Sequence, residues 1–421
     1  MNRAQRRRIE KEQRKKNSAL PPLAFEELIG EAMRRLQNGN IVQADELLTG
    51  IVKAYPNEPT SLHFAGVTKY QLGSYSEASK LINRSLKLAP TYAEAHNSLG
   101  IVHLEQRDYG SAYDCFSKAI RLRPDYPNAH FNLGNALRRL DRLSEAVNAY
   151  ENSLRYHPHS SESAYSLAAV FLAQNKPDAA LKTANQCLAI DRYCQNAIAY
   201  KAIALSQLNQ KDQWHELYDF EDMIQKMQLA APTGYKSLGV FNEDLEHEIR
   251  VHPTLTWEPL DRVTHGGAVT KDLLAQPSKV ITLFEQALRG VIDSRIHNIN
   301  RVPDHPFLGR TPGRYRLTLI ASILQTKGWH PPHIHESAWL SGVYYVRVPS
   351  AVTESLKEHA GWLQFRNPDY KLPEHYTPDL TVRKPEEGMA VSFPSYLFHE
   401  TIPYQFDAER IGIAFDVYPV T

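Results

Sequence analysis

The sequence predicts a multi-domain protein in which an all-α solenoid of helix hairpins is followed by an α+β domain. Prolines, alanines and glycines recur every 34 residues through the first half of the 421-residue chain. This period is lost after about residue 228, where the composition shifts toward proline, histidine, glycine and aromatic residues. From Tyr315 onward, short strand-like segments alternate with turns, which is typical of a β-rich domain.

The repeat length is set by several independent positions. Residues 34 apart match in three series: Pro56, Pro90, Pro124 and Pro158; Ala44, Ala78, Ala112, Ala146 and Ala180; and Gly66, Gly100 and Gly134, continued by Ala168. A small residue in one helix, an alanine early in the next and a closing proline describe two helices that approach closely. The array resembles the tetratricopeptide repeat family from residue 25 to about residue 192. Such a solenoid has a concave groove, which we expect to bind a protein or peptide.

We predict four regions along the chain. They are a basic N-terminal tail over 1–22, a repeat array over 23–227 with five repeats and a degraded sixth as its cap, a junction with supporting helices over 228–300, and a C-terminal core over 301–421. The expected helices are Asn242–Arg250 and Ser278–His297, and the expected strands are Tyr315–Leu324, Leu340–Val348, Trp362–Phe365, Met389–Phe393 and Arg410–Val417. Short strands bounded by turns indicate a sandwich or a jelly roll.

The charge balance argues against a large nucleic-acid or membrane surface. Lysine and arginine number 48 against 47 aspartates and glutamates, and only the N-terminal tail is strongly basic. We therefore expect no nucleic-acid partner apart from weak contact by that tail. No segment approaches the roughly 20 apolar residues of a membrane span. We therefore expect a soluble protein without a membrane partner. Three cysteines are too few for a disulfide framework, so we also expect a reducing compartment, the cytoplasm.

Three histidines near the C-terminus have the pattern of a metal centre. His333 and His335 are two residues apart, so in extended backbone both imidazoles point to the same side, and His399 comes from a later strand. Three imidazoles on one face of a metal leave the opposite face open for chemistry. Imidazole suits Fe(II), zinc and copper, so the residues alone leave the metal open. Glu336 is an alternative ligand, but a shift of one residue turns a side chain to the other face, which favours His335.

Arg410 follows His399 by eleven residues, on a strand expected to run beside the one that carries this histidine. Its guanidinium can bind a carboxylate through two parallel hydrogen bonds. A carboxylate-binding arginine beside a metal suggests a keto acid cosubstrate. The alternative is that Arg410 pairs at the surface with Asp407, Glu409 or Asp416.

Five segments in order resemble the 2-oxoglutarate/Fe(II)-dependent oxygenase superfamily. They are His333–Val346, Gly361–Phe365, Pro385–Gly388, Phe393–His399 and Arg410–Pro419. The chain resembles more closely the bacterial oxygenases that carry tetratricopeptide repeats in front of a double-stranded β-helix. The resemblance covers about residues 250 to 421 and implies that the α+β domain is built on this type of jelly roll.

The resemblance also implies roles for individual residues. His333 and His399 would bind iron, with His335 or Glu336 completing the metal face. Arg410 would hold the distal carboxylate of 2-oxoglutarate. Tyr344 or Tyr345 would add a hydrogen bond to that cosubstrate.

The chain departs from the superfamily at two positions. His335 stands where the usual motif has aspartate or glutamate, so a three-histidine set would leave the metal more positive. Gly412 stands where the superfamily often has a serine, which removes one hydrogen bond to the cosubstrate, worth about 1 kcal/mol.

The sequence thus predicts an Fe(II)- and 2-oxoglutarate-dependent dioxygenase, a hydroxylase that uses dioxygen on a protein or peptide recruited by the repeats. Two alternatives stay open. One is a non-catalytic repeat scaffold with a relic oxygenase domain. The other is a three-histidine metal dioxygenase that does not use 2-oxoglutarate, in which Arg410 binds a substrate carboxylate.

Overall fold

The 34-residue repeats fold as helix hairpins in a computed structural model, which describes residues 22–258, 264–355, 358–365, 381–405 and 407–420. The predicted basic tail lies outside the described residues, except for Pro22, which begins the first helix. The chain separates into two compact units, with the division between Ser163 and Ala164. The repeats that follow Ala164 therefore group with the C-terminal region.

The first unit consists of paired helices. They are α1 (Pro22–Gln37), α2 (Ile41–Ala54), α3 (Pro59–Gln71), α4 (Tyr75–Leu88), α5 (Ala93–Glu105), α6 (Tyr109–Leu122), α7 (Pro127–Arg139), α8 (Leu143–Tyr156) and the start of α9 (Ser161–Ala173). Proline occupies a first helical position of α3 and of α7, where its missing N–H has no partner to lose. From α3 onward, corresponding helices begin 34 residues apart, as the sequence predicts.

The glycine series marks where the two helices of a hairpin touch. A Cβ atom added at Gly100 would lie 2.5 Å from the Phe116 ring, and one added at Gly134 would lie 2.6 Å from the Tyr150 ring. Both rings are fully buried. Glycine is therefore needed because the second helix places a large side chain against the backbone of the first.

A further series of positions, also 34 residues apart, lies in the turn between the two helices of each hairpin. Six residues at this position have left-handed backbone, with positive φ: Gly39, Gly73, Arg107, Asp141, Asn175 and Asn209. The left-handed conformation costs a residue with a Cβ atom roughly 1–2 kcal/mol, and asparagine and aspartate tolerate it best. Arg107, at φ 60, is thus the least suitable residue of the series.

The second unit continues the repeats and adds the C-terminal helices. They are the rest of α9, α10 (Pro177–Ile190), α11 (Gln195–Gln207), α12 (Lys211–Leu217), α13 (Phe220–Met223), α14 (Leu238–Arg250), α15 (Lys279–Asn298) and α16 (Ser350–Thr353), with a 3-10 turn at Leu273–Ala275. The two predicted C-terminal helices correspond to α14 and α15. Ser237 and Ser278 cap them, each accepting a hydrogen bond from a backbone N–H of the first turn.

The degraded sixth repeat consists of α11 and α12. It is the last repeat of the array, and it packs on the C-terminal region instead of facing solvent. Trp214 is 6% exposed, and its ring lies 5.7 Å from that of Tyr218 and 5.9 Å from that of Phe220. The Tyr396 hydroxyl donates a hydrogen bond of 2.8 Å to the Leu217 carbonyl. The repeats of this unit and the C-terminal sheet thus share one hydrophobic core.

The strands of the second unit form two antiparallel sheets. They are β1 (Gln225–Gln228), β2 (Thr256–Trp257), β3 (His265–Val269), β4 (Tyr315–Trp329), β5 (Leu340–Arg347), β6 (Leu363–Phe365), β7 (Thr381–Arg383), β8 (Met389–Pro394), β9 (His399–Thr401) and β10 (Arg410–Pro419). The larger sheet has the order β1-β8-β5-β10-β4-β3-β2, and the smaller has the order β7-β6-β9. All five predicted strands are present. The antiparallel α+β domain is confirmed, whereas its assignment as a jelly roll stays a prediction.

Helices cover one face of the larger sheet. The ring of Phe284 on α15 lies 4.9 Å from the ring of Tyr344 on β5, and Asn242 on α14 donates a hydrogen bond to the Val346 carbonyl. Alternation then turns the neighbouring residues of β5 toward the other face, which lines the cavity of the candidate site. None of the helices in the described ranges combines the length and the hydropathy needed to cross a bilayer.

The left-handed turns give a prediction about stability. Arg107→Gly removes the cost of holding a residue with a Cβ atom in the left-handed conformation, so it should raise the free energy of unfolding by about 1 kcal/mol. The Arg107 side chain is exposed, so its loss should cost little packing. Gly73→Ala should lower it by about 1 kcal/mol for the converse reason. Urea denaturation followed by circular dichroism measures both changes.

Lys118→Gly is the matched control, since it removes an exposed long cation from the right-handed interior of α6. It should lower the free energy of unfolding by about 1 kcal/mol. If Arg107→Gly destabilised the protein to the same extent as Lys118→Gly, the strain assigned to this turn would be absent.

Candidate metal centre

The backbone pairs His333 with His399. The His333 N–H donates to the His399 carbonyl, and the His399 N–H donates to the His333 carbonyl, both at 3.1 Å. Residues directly opposite in an antiparallel pair project to the same face. His335 lies two residues further on, and its N–H continues the pairing by donating to the Ser395 carbonyl at 3.1 Å. All three imidazoles therefore project to one side.

The three side chains converge in space. The ring centres of His333 and His399 are 4.3 Å apart, and the ring of His335 lies 5.3 Å from the first and 5.2 Å from the second. One nitrogen from each ring lies within 4.8 Å of the other two. This spacing suits three ligands of a single metal ion. Glu336 is exposed and lies outside this group, so the structure favours His335 over Glu336 as the third donor.

The Nδ1 atom of each ring already has a hydrogen-bond acceptor. Nδ1 of His333 lies 2.8 Å from the Pro331 carbonyl, and Nδ1 of His399 lies 3.0 Å from the Leu397 carbonyl. A carbonyl oxygen can only accept, so each of these Nδ1 atoms carries the proton. The Nε2 atoms therefore keep their lone pairs, as a metal ligand requires.

Burial keeps these two imidazoles neutral. Burial, assisted by the charge of His335, lowers the pKa of His333 to about 4. Burial, with His333 and His335 nearby, holds the pKa of His399 well below its ordinary value. The lone pairs are thus available at neutral pH without competition from protons.

His335 has a different acceptor, the carboxylate of Asp416. Its Nδ1 lies 2.8 Å from Oδ1 and 2.9 Å from Oδ2 of Asp416, and Ser341 donates to Oδ1 at 2.6 Å. Burial alone would raise the pKa of Asp416, but the charge of His335 and the hydrogen bonds outweigh it, so the pKa of this carboxyl lies below its ordinary value. The sequence does not predict this pair, because Asp416 and His335 lie 81 residues apart in the chain, and it suggests Asp416 only as a surface partner of Arg410.

Arg410 lines the same cavity as the three histidines. It is 4% exposed, its Nη1 donates to the Gly361 carbonyl at 2.6 Å, and its Cζ lies 5.1 Å from the centre of the Tyr345 ring. Within the described ranges no ion pair involves Arg410, whereas Glu409 pairs with Arg250 and Asp416 pairs with His335. The alternative of a surface ion pair is therefore not seen.

The expected position of the Arg410 strand was wrong. Strand β10 pairs with β4 and β5 in the larger sheet, whereas β9, which carries His399, pairs with β6 in the smaller sheet. Both sheets contribute to the cavity wall, which is why Arg410 and His399 still line one space.

The two candidate tyrosines point to opposite faces of β5. The Tyr344 hydroxyl donates to the Asn242 side chain at 2.6 Å on the helix-covered face, so it is not available to a ligand in the cavity. Tyr345 is fully buried beneath Arg410, and its hydroxyl has no hydrogen-bond partner in the described part of the chain. Of the two, Tyr345 is the one that lies next to Arg410, although it is not among the residues that line the cavity.

A fourth histidine lies at the edge of the cluster. His330 contacts the hydroxyls of Thr401 and Thr264 at 3.3 and 3.1 Å, and its ring centre is 6.4 Å from that of His333. Burial, with His333 and Arg410 nearby, lowers its pKa to about 3. Both ring nitrogens of His330 already have hydroxyl partners, so this residue forms part of the cavity wall and is not expected to bind a metal.

The cavity has a volume of about 370 Å³. Apolar residues of its wall include Ile320, Ile334, Val343, Leu363 and Ala414. It is thus large enough for a small organic acid together with part of a second molecule.

Comparison with known proteins gives two family matches. Residues 320–416 match the family described as "Putative 2OG-Fe(II) oxygenase", and this match includes all three histidines and Arg410. Residues 65–127, 97–152 and 131–193 match a tetratricopeptide repeat family. A comparison with curated proteins finds no match.

Among solved structures, the chain is similar to MamA (residues 41 to the end) from Desulfovibrio magneticus RS-1, with 20% identity, a TM-score of 0.37, and coverage of 41% of this chain and 98% of that one. It is also similar to PilF of Pseudomonas aeruginosa, with 18% identity, a TM-score of 0.43, and coverage of 46% and 88%. Neither likeness bears on function. The protein carries tetratricopeptide repeats and, C-terminal to them, a domain that matches the 2OG-Fe(II) oxygenase family.

Proposed function

We propose that the C-terminal domain is an Fe(II)- and 2-oxoglutarate-dependent oxygenase that hydroxylates a protein or peptide recruited by the repeats. The observation that carries this proposal is the cavity that joins three convergent imidazoles to a buried arginine, which has no anionic partner among the residues that the structure describes. The first feature suits a metal, and the second suits an organic acid beside it.

The donor set fits Fe(II). His333, His335 and His399 would hold the ion through Nε2, because each Nδ1 is held by an acceptor that fixes the ring orientation. Three protein ligands leave further coordination positions for groups from the cavity. When bound, Fe(II) and 2-oxoglutarate would supply the oxidising chemistry, in which decarboxylation of the keto acid accompanies hydroxylation of a C–H bond by dioxygen.

The chain also fits the cosubstrate. The guanidinium of Arg410 would pair with its distal carboxylate, and the Tyr345 hydroxyl would donate a further hydrogen bond. Burial raises the pKa of Tyr345, against the opposing charge of Arg410, so this hydroxyl keeps its proton. The apolar wall, which includes Val343 and Ala414, would exclude water from the reacting groups.

The repeats would supply the substrate by binding a peptide in the concave groove of the solenoid. We further propose that the protein acts in the cytoplasm, where its three cysteines stay reduced.

A three-histidine metal dioxygenase without a keto acid is the second candidate. The presence of His335 in the donor group, in place of a carboxylate ligand, favours it. Arg410 would then bind a carboxylate of the substrate itself. Dependence of oxygen uptake on 2-oxoglutarate separates the two functions.

The first prediction concerns the metal. Wild-type protein, mixed anaerobically with Fe(II) and 2-oxoglutarate, should show a weak visible charge-transfer band, and His399→Ala should abolish it by removing a ligand. Absorption spectroscopy under argon measures the band. His247→Ala, an exposed histidine on α14, is the control and should leave it unchanged. A band that survives His399→Ala, or is absent from the wild type, would contradict the proposal.

The second prediction concerns the cosubstrate. Arg410→Gln should raise the Kd for 2-oxoglutarate by about 10- to 100-fold, because a charge-assisted contact of about 1.5–3 kcal/mol is lost, and Tyr345→Phe should raise it about fivefold. Titration of the band with 2-oxoglutarate gives the Kd values.

Tyr344→Phe is the matched control, since Tyr344 adjoins Tyr345 but binds Asn242 on the opposite face. It should leave the Kd for 2-oxoglutarate unchanged. Equal effects of Tyr344→Phe and Tyr345→Phe would show that neither hydroxyl contacts the cosubstrate.

A further inference from the structure

We infer that Asp416 is a positioning residue that provides, through His335, the negative charge that the three-histidine donor set lacks. This inference rests on the proposed function only in requiring a metal at the three histidines. It assigns to Asp416 control of metal affinity rather than contact with the metal or the substrate.

The need for such a charge follows from the donor set. Three neutral imidazoles bring no negative charge to a divalent cation, and the site is shielded from water, with His399 buried and the other two rings partly buried. A buried cation is costly unless a nearby anion compensates it. Among the residues that the structure describes, Asp416 is the carboxylate that has a hydrogen-bond contact with one of the three rings.

The hydrogen bond to Asp416 distinguishes His335 from the other two histidines. The Nδ1 acceptors of His333 and His399 are neutral backbone carbonyls, whereas that of His335 is a carboxylate at 2.8 to 2.9 Å. A carboxylate acceptor draws the Nδ1 proton and makes Nε2 of the same ring a stronger donor. His335 should therefore be the most basic ligand of the set.

The carboxylate is fixed in place by a hydroxyl chain. Ser341 donates to Oδ1 of Asp416 at 2.6 Å, and the hydroxyls of Ser341 and Ser395 are 2.7 Å apart. Ser341 has one hydroxyl proton, which goes to the carboxylate, so Ser395 must donate to Ser341. Ser395 also accepts the backbone N–H of His335 through its carbonyl. Ser395 thus holds the backbone of His335 directly and the Asp416 carboxylate through Ser341, and both serines are fully buried.

Metal affinity without 2-oxoglutarate tests the inference. Asp416→Asn keeps a hydrogen-bond acceptor of the same size but removes the charge. It should raise the Kd for Fe(II), measured anaerobically by competition with a chelator, by about 10- to 100-fold. Glu336→Gln is the matched control, because it removes one carboxylate next to His335 that is exposed and not in the donor group. It should change the Kd by less than about twofold. Equal affinities of wild type and Asp416→Asn would overturn the inference.

A second experiment separates electrostatics from packing. His335→Asp gives the donor set its own carboxylate and removes the imidazole through which Asp416 acts. Asp416→Asn should therefore raise the Kd for Fe(II) by a much smaller factor in the His335→Asp background than in the wild type. If Asp416 served only to pack the site, Asp416→Asn would raise the Kd by the same factor in both backgrounds, and the inference would fail. Circular dichroism confirms that each variant is folded.

Failure of this inference and failure of the proposed function are distinguishable. Wild-type protein that binds Fe(II) but shows no 2-oxoglutarate band would remove the proposed cosubstrate, while a Kd raised by Asp416→Asn would still support the role of Asp416. Wild-type protein that binds no metal would overturn both.

Discussion

The metal centre depends on two backbone hydrogen bonds that join His333 to His399. They connect residues that are far apart in sequence, and they make the two side chains neighbours on one face. The alternation of extended backbone then adds His335, and the Ser395 carbonyl holds its N–H. Such a group of imidazoles is tolerable only in the neutral state, since protonated rings at these distances would repel each other. Burial provides that state for His333 and His399, and it leaves their Nε2 lone pairs ready for a cation.

Much of this site could be predicted from sequence, because period-2 alternation puts His333 and His335 together without any knowledge of the partner strand. The orientation of other side chains needed that knowledge. Which tyrosine lies on the helix-covered face of β5 depends on which face the helix α15 covers, and the central residues of β5, Gly342 to Val346, are apolar or aromatic on both faces. The role of Asp416 was hidden for a similar reason, since its partner lies 81 residues earlier in the chain.

The fold shows the same division between local and long-range information. The 34-residue series predicted the hairpins because close helix packing restricts residue size at fixed positions. The left-handed turns could not be predicted in this way, because the residue type at this position varies. It is glycine at 73, arginine at 107 and aspartate at 141, although the backbone conformation is the same. The packing of the sixth repeat was also hidden, since Trp214 replaces the repeat alanine and buries its ring against aromatic residues of the following segment. The sequence shows this loss of pattern but not the surface that replaces it.

Strand β10 keeps its two cavity charges apart. Arg410 and Asp416 are six residues apart on one strand, so both side chains lean to the same face, yet roughly 20 Å of extended backbone separates their Cα atoms. Had they been adjacent, they would have formed an ion pair, and neither charge would have been available to a ligand. Instead, Asp416 is bound to His335, and Arg410 has no carboxylate partner in the described part of the chain. Asp416 at one end of the strand can therefore raise the basicity of His335, while Arg410 at the other end can attract an organic anion.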